Sequence, residues 1–415
     1  MIHCVTVHAR RTGANRYFLV VETQKGPSMR FRVSIFAGLL KLLSRRQLAA
    51  AVERHDGEAY DKTFKTWDHL AVLVFAQLSR VDSLRGLTAR WNANAHHHYH
   101  LGVGKLARST LADANARRPV AIFAETFARL SGLADRTLKR EGAAMLRLID
   151  ATPIPLDRLV SWADWNGRTR GLKLHVVYDP GADHPRRIAI TAATINDVEV
   201  GRSVPIEAGA TYVFDKAYCH YGWWARVHAA GAVFVTRKKT NARYRCVRRR
   251  PLETRGGDGF TLIDDVEVKL ASKGDSKLPI PMRRIRLKRD TGGTLTLLTN
   301  DLARSAVEIA ALYKARWQIE LLFRWLKQHL RLRKFLGRSE NAVRLQLLAA
   351  MIAYLLLRIA ARNSRRAIPA LRFAELVADC LFVRKPIAHI DKPPEVNPSK
   401  PKPRTHPNQL EFCYA

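Results

Sequence analysis

The chain has few acidic residues for its size. Its 415 residues include only 36 Asp and Glu against 71 Lys and Arg, which leaves a net charge of +35. So large an imbalance exceeds what solubility requires, and it indicates a polyanionic partner, which for a soluble protein is usually nucleic acid. Ribosomal proteins are also basic, but they are rarely this long or this rich in Leu and Ala.

Cysteine is also scarce. The chain has five cysteines, an odd number, and no pair has C-x-x-C spacing. This pattern favours neither a zinc site nor a disulfide framework, and it fits a reducing cytoplasm. The five residues are Cys4, Cys219, Cys246, Cys380 and Cys413.

Long hydrophobic runs and a signal peptide are missing from the sequence. The longest apolar run, residues 345–357, contains Gln346 and is too short to cross a bilayer, so it predicts a buried helix and no membrane partner. The first 28 residues lack the basic start and apolar block of a signal peptide. Met29 begins the first segment with a folded pattern. Residues 1–31 are therefore interpreted as an N-terminal extension that a start codon placed too early would explain.

Hydrophobic residues make up 47% of the chain, and its length allows two or three domains with real cores. Residues 32–140 have apolar positions three and four apart, which predicts an all-α domain with Asp82 and Ser109 as N-caps. Short helices with basic links are typical of a helix-turn-helix DNA reader, although a plain helical bundle fits the pattern equally well. The "HHHYH" run at residues 96–100 is unsuited to metal binding, because adjacent histidines cannot all face one ion.

The hydrophobic period changes near residue 143. Three strand-like segments, "MLRLID", "LKLHVVYD" and "RIAITAAT", are followed by a helix, the strand "ATYVFD", the helix "CHYGWWARVHAAG" and the strand "AVFVT". The first three are close enough to form an antiparallel meander. This order predicts an α/β layer of the ribonuclease H-like kind, within an α+β and α/β multidomain chain.

The C-terminal half adds a β-rich insertion, further helices and a tail. Residues 237–250 carry eight basic residues and no acid, so Arg237, Lys238 and Lys239 are candidate contacts to the DNA backbone, with a solvated charged face as the alternative. The tail is rich in proline and is expected to be extended or disordered. The predicted divisions are residues 1–31, 32–140, 141–365 with the insertion at about 237–300, a helix at 366–383, and the tail at 384–415.

Four polar residues recur at a helical spacing. Tyr313, Arg316, Glu320 and Lys327 have relative positions 0, 3, 7 and 14, an arc of roughly 60° on one helix, with Arg324 beside it. The rest of this helix is mostly apolar, so we expect it to be buried and the stripe to face a partner that repays its desolvation. Glu320 then suits a metal ion and Arg316 and Lys327 suit phosphates, whereas a structural salt-bridge stripe is the alternative.

Two further acids end predicted strands. Asp150 ends "MLRLID" and Asp215 ends "ATYVFD", so their carboxylates can converge over one edge of the sheet. With Glu320 they form a set of three hard oxygen ligands, which Mg²⁺ or Mn²⁺ prefers. Two such ions suit an in-line displacement at phosphorus. The rivals for these positions are Asp157, Asp164 and Asp179.

These residues resemble a known family. The pattern Y-x2-R-x3-E-x6-K on the helix that bears the last acid is similar to the insertion-sequence 4 type of DDE transposases, and Tyr313, Arg316, Glu320 and Lys327 match it without a gap. The resemblance covers about residues 32–365. Further similar blocks are "DATPI", "VFDKAYCHYGWW", "GLKLHVVYD", "TRKKTNARY", "RSTLADANARR" and the C-terminal "PNQLEF".

The resemblance implies a ribonuclease H-like catalytic core, two divalent ions on Asp150, Asp215 and Glu320, and cut-and-paste movement of DNA. It also implies terminal inverted repeats and a target duplex as DNA partners, with two or more copies of the chain in the synaptic complex. A protein of this family would act in the bacterial cytoplasm, associated with the nucleoid. Relatives that form DNA hairpins use a Trp in the insertion. Residues 237–300 contain none, only Tyr244 and Phe260 as aromatic candidates, which argues against a hairpin intermediate.

Three other functions are compatible with parts of this pattern. A ribonuclease H-like nuclease without strand transfer would need the acids but not the complete stripe. An architectural DNA-binding protein would need neither. An inactive relic of a transposase would have the same fold, although every signature residue is present here.

Overall fold

The computed structural model describes residues 6–12, 16–22, 33–59, 62–138, 144–156, 160–167, 170–252, 256–257, 259–271, 280–330, 334–364 and 368–392. The architecture is mixed α and β, with one large mixed sheet and many helices. Most of the predicted tail, including "PNQLEF", lies outside the described residues, and so does Asp157.

A pair of strands precedes the helices. Strands β1 (Thr6–Thr12) and β2 (Arg16–Glu22) are antiparallel. This differs from the prediction that the first folded segment begins at Met29. The segment "TVHARRT" has weak apolar alternation, so the period-two signal of a strand is hard to detect there.

Seven α-helices follow within the described residues 33–59 and 62–138, where the apolar spacing predicts an all-α region. The predicted caps were wrong, by one residue at the fourth helix and by two at the sixth, whose cap is Ala107. Ser83, not Asp82, caps the fourth helix and accepts a hydrogen bond from the Gly86 N–H at 3.1 Å. Ser109 lies inside the sixth helix, which begins at Arg108. The helices are α1 (Ile35–Leu40), α2 (Arg45–Arg54), α3 (Thr66–Leu78), α4 (Leu84–Ala93), α5 (His98–Leu101), α6 (Arg108–Arg117) and α7 (Val120–Leu138).

The central elements have the predicted order of three strands, helix, strand, helix, strand. The first three strands form an antiparallel meander, and the next two run parallel to the first. They are β3 (Leu146–Pro155), β4 (Gly171–Asp179), β5 (His184–Ala192), α8 (Asp197–Ser203), β6 (Thr211–Phe214), α9 (Tyr221–Ala229) and β7 (Val233–Arg237).

The predicted insertion is β-rich and extends the same sheet. Its last strand pairs antiparallel with β7, and its first strand is the outer edge of the sheet. The strands are β8 (Arg243–Arg249), β9 (Gly256–Gly257), β10 (Phe260–Ala271), β11 (Met282–Arg289) and β12 (Thr294–Thr299). The ten-stranded sheet has the order β5-β4-β3-β6-β7-β12-β11-β10-β8, with β9 paired to β10.

Four helices complete the described chain: α10 (Ala306–Ala315), α11 (Trp317–His329), α12 (Glu340–Arg362) and α13 (Ala370–Cys380). Helix α12 is long and apolar enough to cross a membrane, but 89% of its apolar stretch is buried in the protein. It packs against α7, α3, α6 and α1, and the Asn341 side-chain amide donates to the carbonyls of Asn115 and Arg118 at 2.9 Å each. The C-terminal helices and the N-terminal helices therefore share one hydrophobic core.

The two faces of the sheet bury different clusters. On β3, Leu148 belongs to the cluster that includes α11 and α12, whereas Ile149 belongs to the cluster around α9. Strand β6 alternates in the same way, with Val213 on the first side and Phe214 on the second. Because successive strand residues point to opposite faces, the residues two after Leu148 and Val213 face α11.

Candidate active site

Asp150 and Asp215 lie at matching positions, where the pairing between two neighbouring parallel strands ends. The last paired residues of the parallel strands β3 and β6 are Ile149 and Phe214, and the two acids follow them directly. The prediction that Asp150 ends its strand was wrong, because β3 continues to Pro155 through its pairing with β4. Only the pairing to β6 ends there. Asp150 therefore lies at an internal edge of the sheet, where β6 stops beside it.

The stripe of Tyr313, Arg316, Glu320 and Lys327 spans two helices rather than the single predicted helix. Helix α10 ends at Ala315 and α11 begins at Trp317. Arg316 joins them with helical backbone angles, φ −53° and ψ −29°. Its N–H bonds to the Tyr313 carbonyl and its carbonyl accepts the Ile319 N–H, both three residues apart and 3.1 Å long. The interruption between α10 and α11 is therefore a single turn with tighter hydrogen bonding. All four stripe residues remain on one side of the two helices.

The Arg316 guanidinium lies between two of the three acids. It donates to Asp150 Oδ2 at 3.0 Å through Nη1 and to Glu320 Oε1 at 2.5 Å through Nη2. It also lies 5.8 Å from the centre of the Tyr313 ring. The two carboxylates thus share one cation that belongs to the chain itself.

The other stripe residues also reach the sheet. The Tyr313 hydroxyl lies 3.5 Å from Asp215 Oδ1, at the outer limit of a hydrogen bond. Lys327 Nζ donates to Thr152 Oγ1 at 2.5 Å. Thr152 is two residues after Asp150 and therefore on the same face of β3. The stripe contacts both strands that bear the acids.

Burial perturbs the acid–base chemistry of this site. Desolvation raises the pKa of Asp150, the Ala151 N–H and Arg316 oppose the rise, and the charges of Glu320 and Asp215 add to it, so that the resulting pKa is about 6. Desolvation also raises the pKa of Tyr313 to about 12, with the Asp215 charge acting in the same direction. The charges of Glu320 and Asp215 are therefore close enough to Asp150 to change its pKa.

This donor set suits a hard divalent cation. It contains three carboxylates and no His or Cys, and oxygen ligands of this kind select Mg²⁺ or Mn²⁺. Within the described ranges, no three His, Cys, Asp or Glu side chains close around one point tightly enough to hold a metal. The Arg316 guanidinium instead bridges Asp150 and Glu320. Metal binding at these acids would therefore require Arg316 to withdraw.

A cleft opens beside these residues, with a volume of about 370 Å³. Arg324 is exposed on its rim. Its lining consists of Asp150, Ala151, Thr152, Glu320, Phe323, Arg324, Lys327 and Gln328.

The predicted basic run begins at the last residue of β7. Arg237 is exposed at the end of β7, and its charge opposes the rise in the pKa of Tyr313, which places it near that ring. Lys238 lies 5.3 Å from the centre of the Tyr244 ring, and Lys239 is half-buried in the following turn.

Helix α11 is not buried all round, contrary to the prediction. Ile319, Leu322, Phe323 and Leu326 are buried, but Trp317 and Leu321 are 52% and 44% exposed. The apolar circumference was interpreted as core because sequence composition does not tell which side of a helix faces protein.

The acids that the sequence offered as alternatives to Asp150 and Asp215 make other contacts. Asp179 forms an ion pair with Arg147 at 2.8 Å, and Asp164 accepts a hydrogen bond from Thr194 at 3.2 Å. In the histidine run, His98 is buried and bonds to the Trp91 carbonyl at 3.0 Å, while His97 stacks on Phe382. These contacts are structural.

Two contributors to the site were missed at the level of sequence. Thr152 carries the partner of Lys327, and its position two residues after Asp150 on a strand was an available signal. Tyr218 is buried near Asp150 and Asp215, whose charges contribute to raising the pKa of its phenol, after desolvation. No spacing rule points to Tyr218.

The chain matches known protein families over most of its length. Residues 141–356 match a family model described as a transposase DDE domain, and residues 32–104 match a domain of unknown function (DUF4372). A protein named as transposase y4zB from Sinorhizobium fredii (strain NBRC 101917 / NGR234) is 64% identical over 304 residues, which cover 73% of this chain and 85% of that protein.

Other relatives are more distant. A protein named as a transposase for insertion sequence element IS5377 from Geobacillus stearothermophilus is 32% identical over 215 residues, 51% of this chain and 56% of that protein. Among solved structures, a synaptic complex of piggyBac transposase with hairpin DNA is 10% identical with a TM-score of 0.48, covering 89% of this chain and 84% of that one.

The family match covers both strands that bear the predicted acids and the complete Tyr-Arg-Glu-Lys stripe. It confirms the resemblance stated from that stripe, and it implies dependence on divalent metal ions and DNA as the partner. The chain belongs to the DDE transposase family and is a DNA transposase related to those of insertion sequences.

Proposed function

We propose that Asp150, Asp215 and Glu320 hold two Mg²⁺ or Mn²⁺ ions, and that the chain cuts DNA at the ends of an insertion sequence and joins those ends to a target duplex. One observation carries this proposal. Two acids that directly follow the last paired residues of the parallel strands β3 and β6 face a helix whose Glu320 shares a cation with Asp150. Carboxylates that already share a positive charge are suited to share a metal ion.

When bound, two such ions stabilise the attacking and leaving oxygens of an in-line displacement at phosphorus. Arg316 and Lys327 then contact phosphate oxygens of the DNA backbone. In the first step a water oxygen attacks phosphorus and the bond to the 3′ oxygen breaks, which leaves a 3′-OH. In the second step that 3′-OH attacks a phosphorus of the target and displaces a 3′ oxygen. One site serves both steps because only the nucleophile changes.

We propose a ribonuclease H-like core within residues 141–365. The support is the order β5-β4-β3-β6-β7, in which an antiparallel meander is followed by two strands parallel to its first. The insertion at about 237–300 prolongs this sheet on one side. The remaining divisions, residues 1–31, 32–140, 366–383 and 384–415, keep the boundaries given by the sequence.

Recognition of the terminal inverted repeats is assigned to residues 32–140. Arg85, Lys105 and Arg108 are exposed there and form no ion pair with any residue that the structure describes. Surface cations of this kind are available to contact DNA phosphates. Contacts to phosphates fix the position and orientation of a protein on the duplex. The catalytic part would bind DNA mostly through its backbone, and two or more copies of the chain would act together.

The proposal is tested with purified protein, a duplex that carries the terminal repeats, a target duplex and Mg²⁺ or Mn²⁺. Wild type should leave 3′-OH ends and then produce joined DNA. Glu320→Gln should abolish both products, because it removes a metal ligand. Glu199→Gln, the same change at an exposed residue of α8, is the control and should retain both. Cleavage without any joined product would support a nuclease, and full activity of Glu320→Gln would overturn the metal site.

A further inference from the structure

Helix α6 presents one polar face to solvent. The exposed residues of this helix are Arg108, Ser109, Ala112, Asp113, Ala116 and Arg117. At about 100° per residue they cover one half of the helix surface, with the two arginines at its margins and shorter side chains between them. A face of this shape and charge fits the major groove of duplex DNA, because that groove admits a helix and is flanked by phosphates.

The other helices between α1 and α7 offer less of such a face. Helices α1 and α3 are buried along most of their length, and α5 has only four residues. In α2, the Arg54 side chain is paired with Glu125 of α7, and the Arg45 guanidinium lies 4.3 Å from the centre of the Trp67 ring. These arginines are therefore engaged with the protein itself.

Helix α4 supports the residues that lead into α6. The Asn92 side chain accepts a hydrogen bond from the Leu106 N–H at 2.9 Å and donates to the Leu106 carbonyl at 2.8 Å. The Trp91 indole N–H donates to the Gly104 carbonyl at 3.0 Å. The N-terminal end of α6 is thus held in place by the protein before any DNA is bound.

The C-terminal end of α6 is fixed by α12. The last carbonyls of a helix have no partner within it. At this end of α6, the carbonyls of Asn115 and Arg118 accept hydrogen bonds from the Asn341 side-chain amide at 2.9 Å each. The Arg118 side chain is buried and donates to the carbonyls of Lys65 and Phe64 at 3.1 and 3.0 Å. Both α12 and the start of α3 therefore hold α6.

Helix α12 also fixes α11 and the chain just after it. Gln346, the polar residue within the apolar run, accepts a hydrogen bond from the Leu336 N–H at 2.8 Å and donates to the Lys334 carbonyl at 2.9 Å. Its burial is tolerated because both bonds are made. Trp325 of α11 packs edge-on against Tyr354 of α12, with ring centres 5.0 Å apart. One helix thus connects α6 to the helix that bears the catalytic glutamate.

As an extension of the proposed function, on which this step depends, we propose that α6 reads base pairs of the terminal repeat in the major groove and that Asn341 holds it at a set distance from Glu320. Ser109 and Asp113 face base edges, whereas the two marginal arginines contact phosphates. The chain then cuts a fixed number of base pairs from the sequence that α6 reads. Asn341 is a positioning residue, because it acts through α6.

The first experiment measures the affinity of the full chain, without metal, for a terminal-repeat duplex and a random duplex. Ser109→Ala and Asp113→Asn should each lower the preference for the repeat about tenfold, because they alter groups that face base edges. Arg117→Ala should weaken binding to both duplexes alike and reduce the salt dependence by about one phosphate contact. Arg136→Ala, at an exposed arginine near the far end of α7, is the control.

Two outcomes of this experiment separate the reading role from the proposed function. An unchanged preference for the repeat in both Ser109→Ala and Asp113→Asn would overturn the assignment of α6 and leave the proposed function intact. Equal affinity of wild type for the repeat and the random duplex would refute repeat recognition by this chain, and the role of α6 with it.

The second experiment maps the cut position with Mg²⁺, on the natural repeat end and on an end with one base pair inserted near the terminus of the repeat. Wild type should move its cut by one nucleotide with the insertion, because α6 sets the distance. Asn341→Ala should bind the repeat within about twofold of wild type, since the face of α6 is unchanged, but should cut both ends at several neighbouring phosphates.

Two further variants complete the comparison. Asn341→Asp keeps the side-chain size and suits the first turn of a helix, but it cannot donate, so it should also lose precision. Asn363→Ala, the same change at the exposed C-terminal cap of α12, should cut as wild type does. A single cut at the wild-type position by Asn341→Ala and Asn341→Asp would overturn the positioning role.

Discussion

Arg316 and Asp150 are 166 residues apart in sequence, and the guanidinium of the first donates to the carboxylate of the second at 3.0 Å. The same guanidinium bonds to Glu320, so one basic side chain joins a central strand to the helix that crosses it. Both partners are largely shielded from solvent, with side-chain exposures of 17% for Arg316 and 20% for Asp150. Removing Arg316 leaves both carboxylates without their shared cation, whereas Arg316 without the Asp150 charge would still be paired with Glu320.

Arg316→Ala should therefore destabilise the metal-free protein moderately, by about 1–3 kcal/mol, while the apolar faces of α11 keep the fold intact. Mg²⁺ should then stabilise the variant more than wild type, because the ion no longer competes with the guanidinium. Thermal unfolding with and without millimolar Mg²⁺ measures both effects, beside a DNA-cleavage assay in which activity should fall. Arg324→Ala, at a neighbouring exposed arginine, is the control for the unfolding measurement, and its unfolding temperature should be that of wild type. If Arg316→Ala leaves no soluble protein, the stripe is a structural salt bridge.

The raised pKa of Asp150 makes the stability of the metal-free protein depend on pH. The usual pKa is 3.8 and the folded value is about 6, so the folded state holds its proton more tightly than the unfolded state. Stability therefore falls as pH rises through this window and stays lower above it. The cost at pH 8 has a ceiling of about 3 kcal/mol.

Asp150→Asn removes this cost, so at pH 8 in a chelator it should unfold at a higher temperature than wild type. The advantage should shrink as pH falls from 6 towards 4. Asp290→Asn, at an exposed turn, controls for the loss of a negative charge. An advantage that is the same at pH 4 and pH 8 would show that burial of the Asp150 charge is not its origin.

The chain's period-two and helical patterns predicted the element order from β3 to β7 and the face of the four-residue stripe. They could not predict where pairing ends. Asp150 looked like the end of a strand because "LRLID" is followed by polar and proline residues, yet β4 pairs with β3 as far as Pro155. The edge at Asp150 arises because β6 is short, and the length of a neighbouring strand is a tertiary property.

Long-range packing was also beyond the sequence patterns. Residues 345–357 were correctly interpreted as a buried helix, but nothing in them indicates that their partners are α3 and α7. Likewise, Trp317 and Leu321 look like core residues by composition, and only the tertiary arrangement leaves them exposed. Apolar periodicity reports that a face is apolar, not what covers it.

The packing of α12 predicts that the N-terminal helices depend on it. Leu355 is fully buried, and Leu355→Ala should cost about 2–5 kcal/mol. Hydrogen exchange should then become faster in α3 and α7 as well as in α12, because the three helices share one core. Leu371→Ala, at a residue of α13 that is 43% exposed, should have little effect. Unchanged protection in α3 and α7 would mean that residues 32–140 fold independently.

The last prediction concerns the nucleophile. Tyr313 is a side chain beside the acids that could form a covalent link to DNA, with its hydroxyl 3.5 Å from Asp215 Oδ1. Burial and the Asp215 charge raise its pKa to about 12, so the phenol is neutral at working pH and is a poor nucleophile. Its place beside Arg316 instead suits a hydrogen bond to a phosphate oxygen.

Tyr313→Phe should therefore retain measurable cleavage, reduced by the loss of one hydrogen bond, about tenfold. Glu320→Gln should abolish cleavage and joining together, since both steps need the same metal ligand. No protein–DNA adduct should be trapped when wild-type reactions are quenched in denaturant and separated by electrophoresis. An inactive Tyr313→Phe together with a trapped wild-type adduct would assign the chemistry to a tyrosine nucleophile, and water or a 3′-OH would then not be the attacking group.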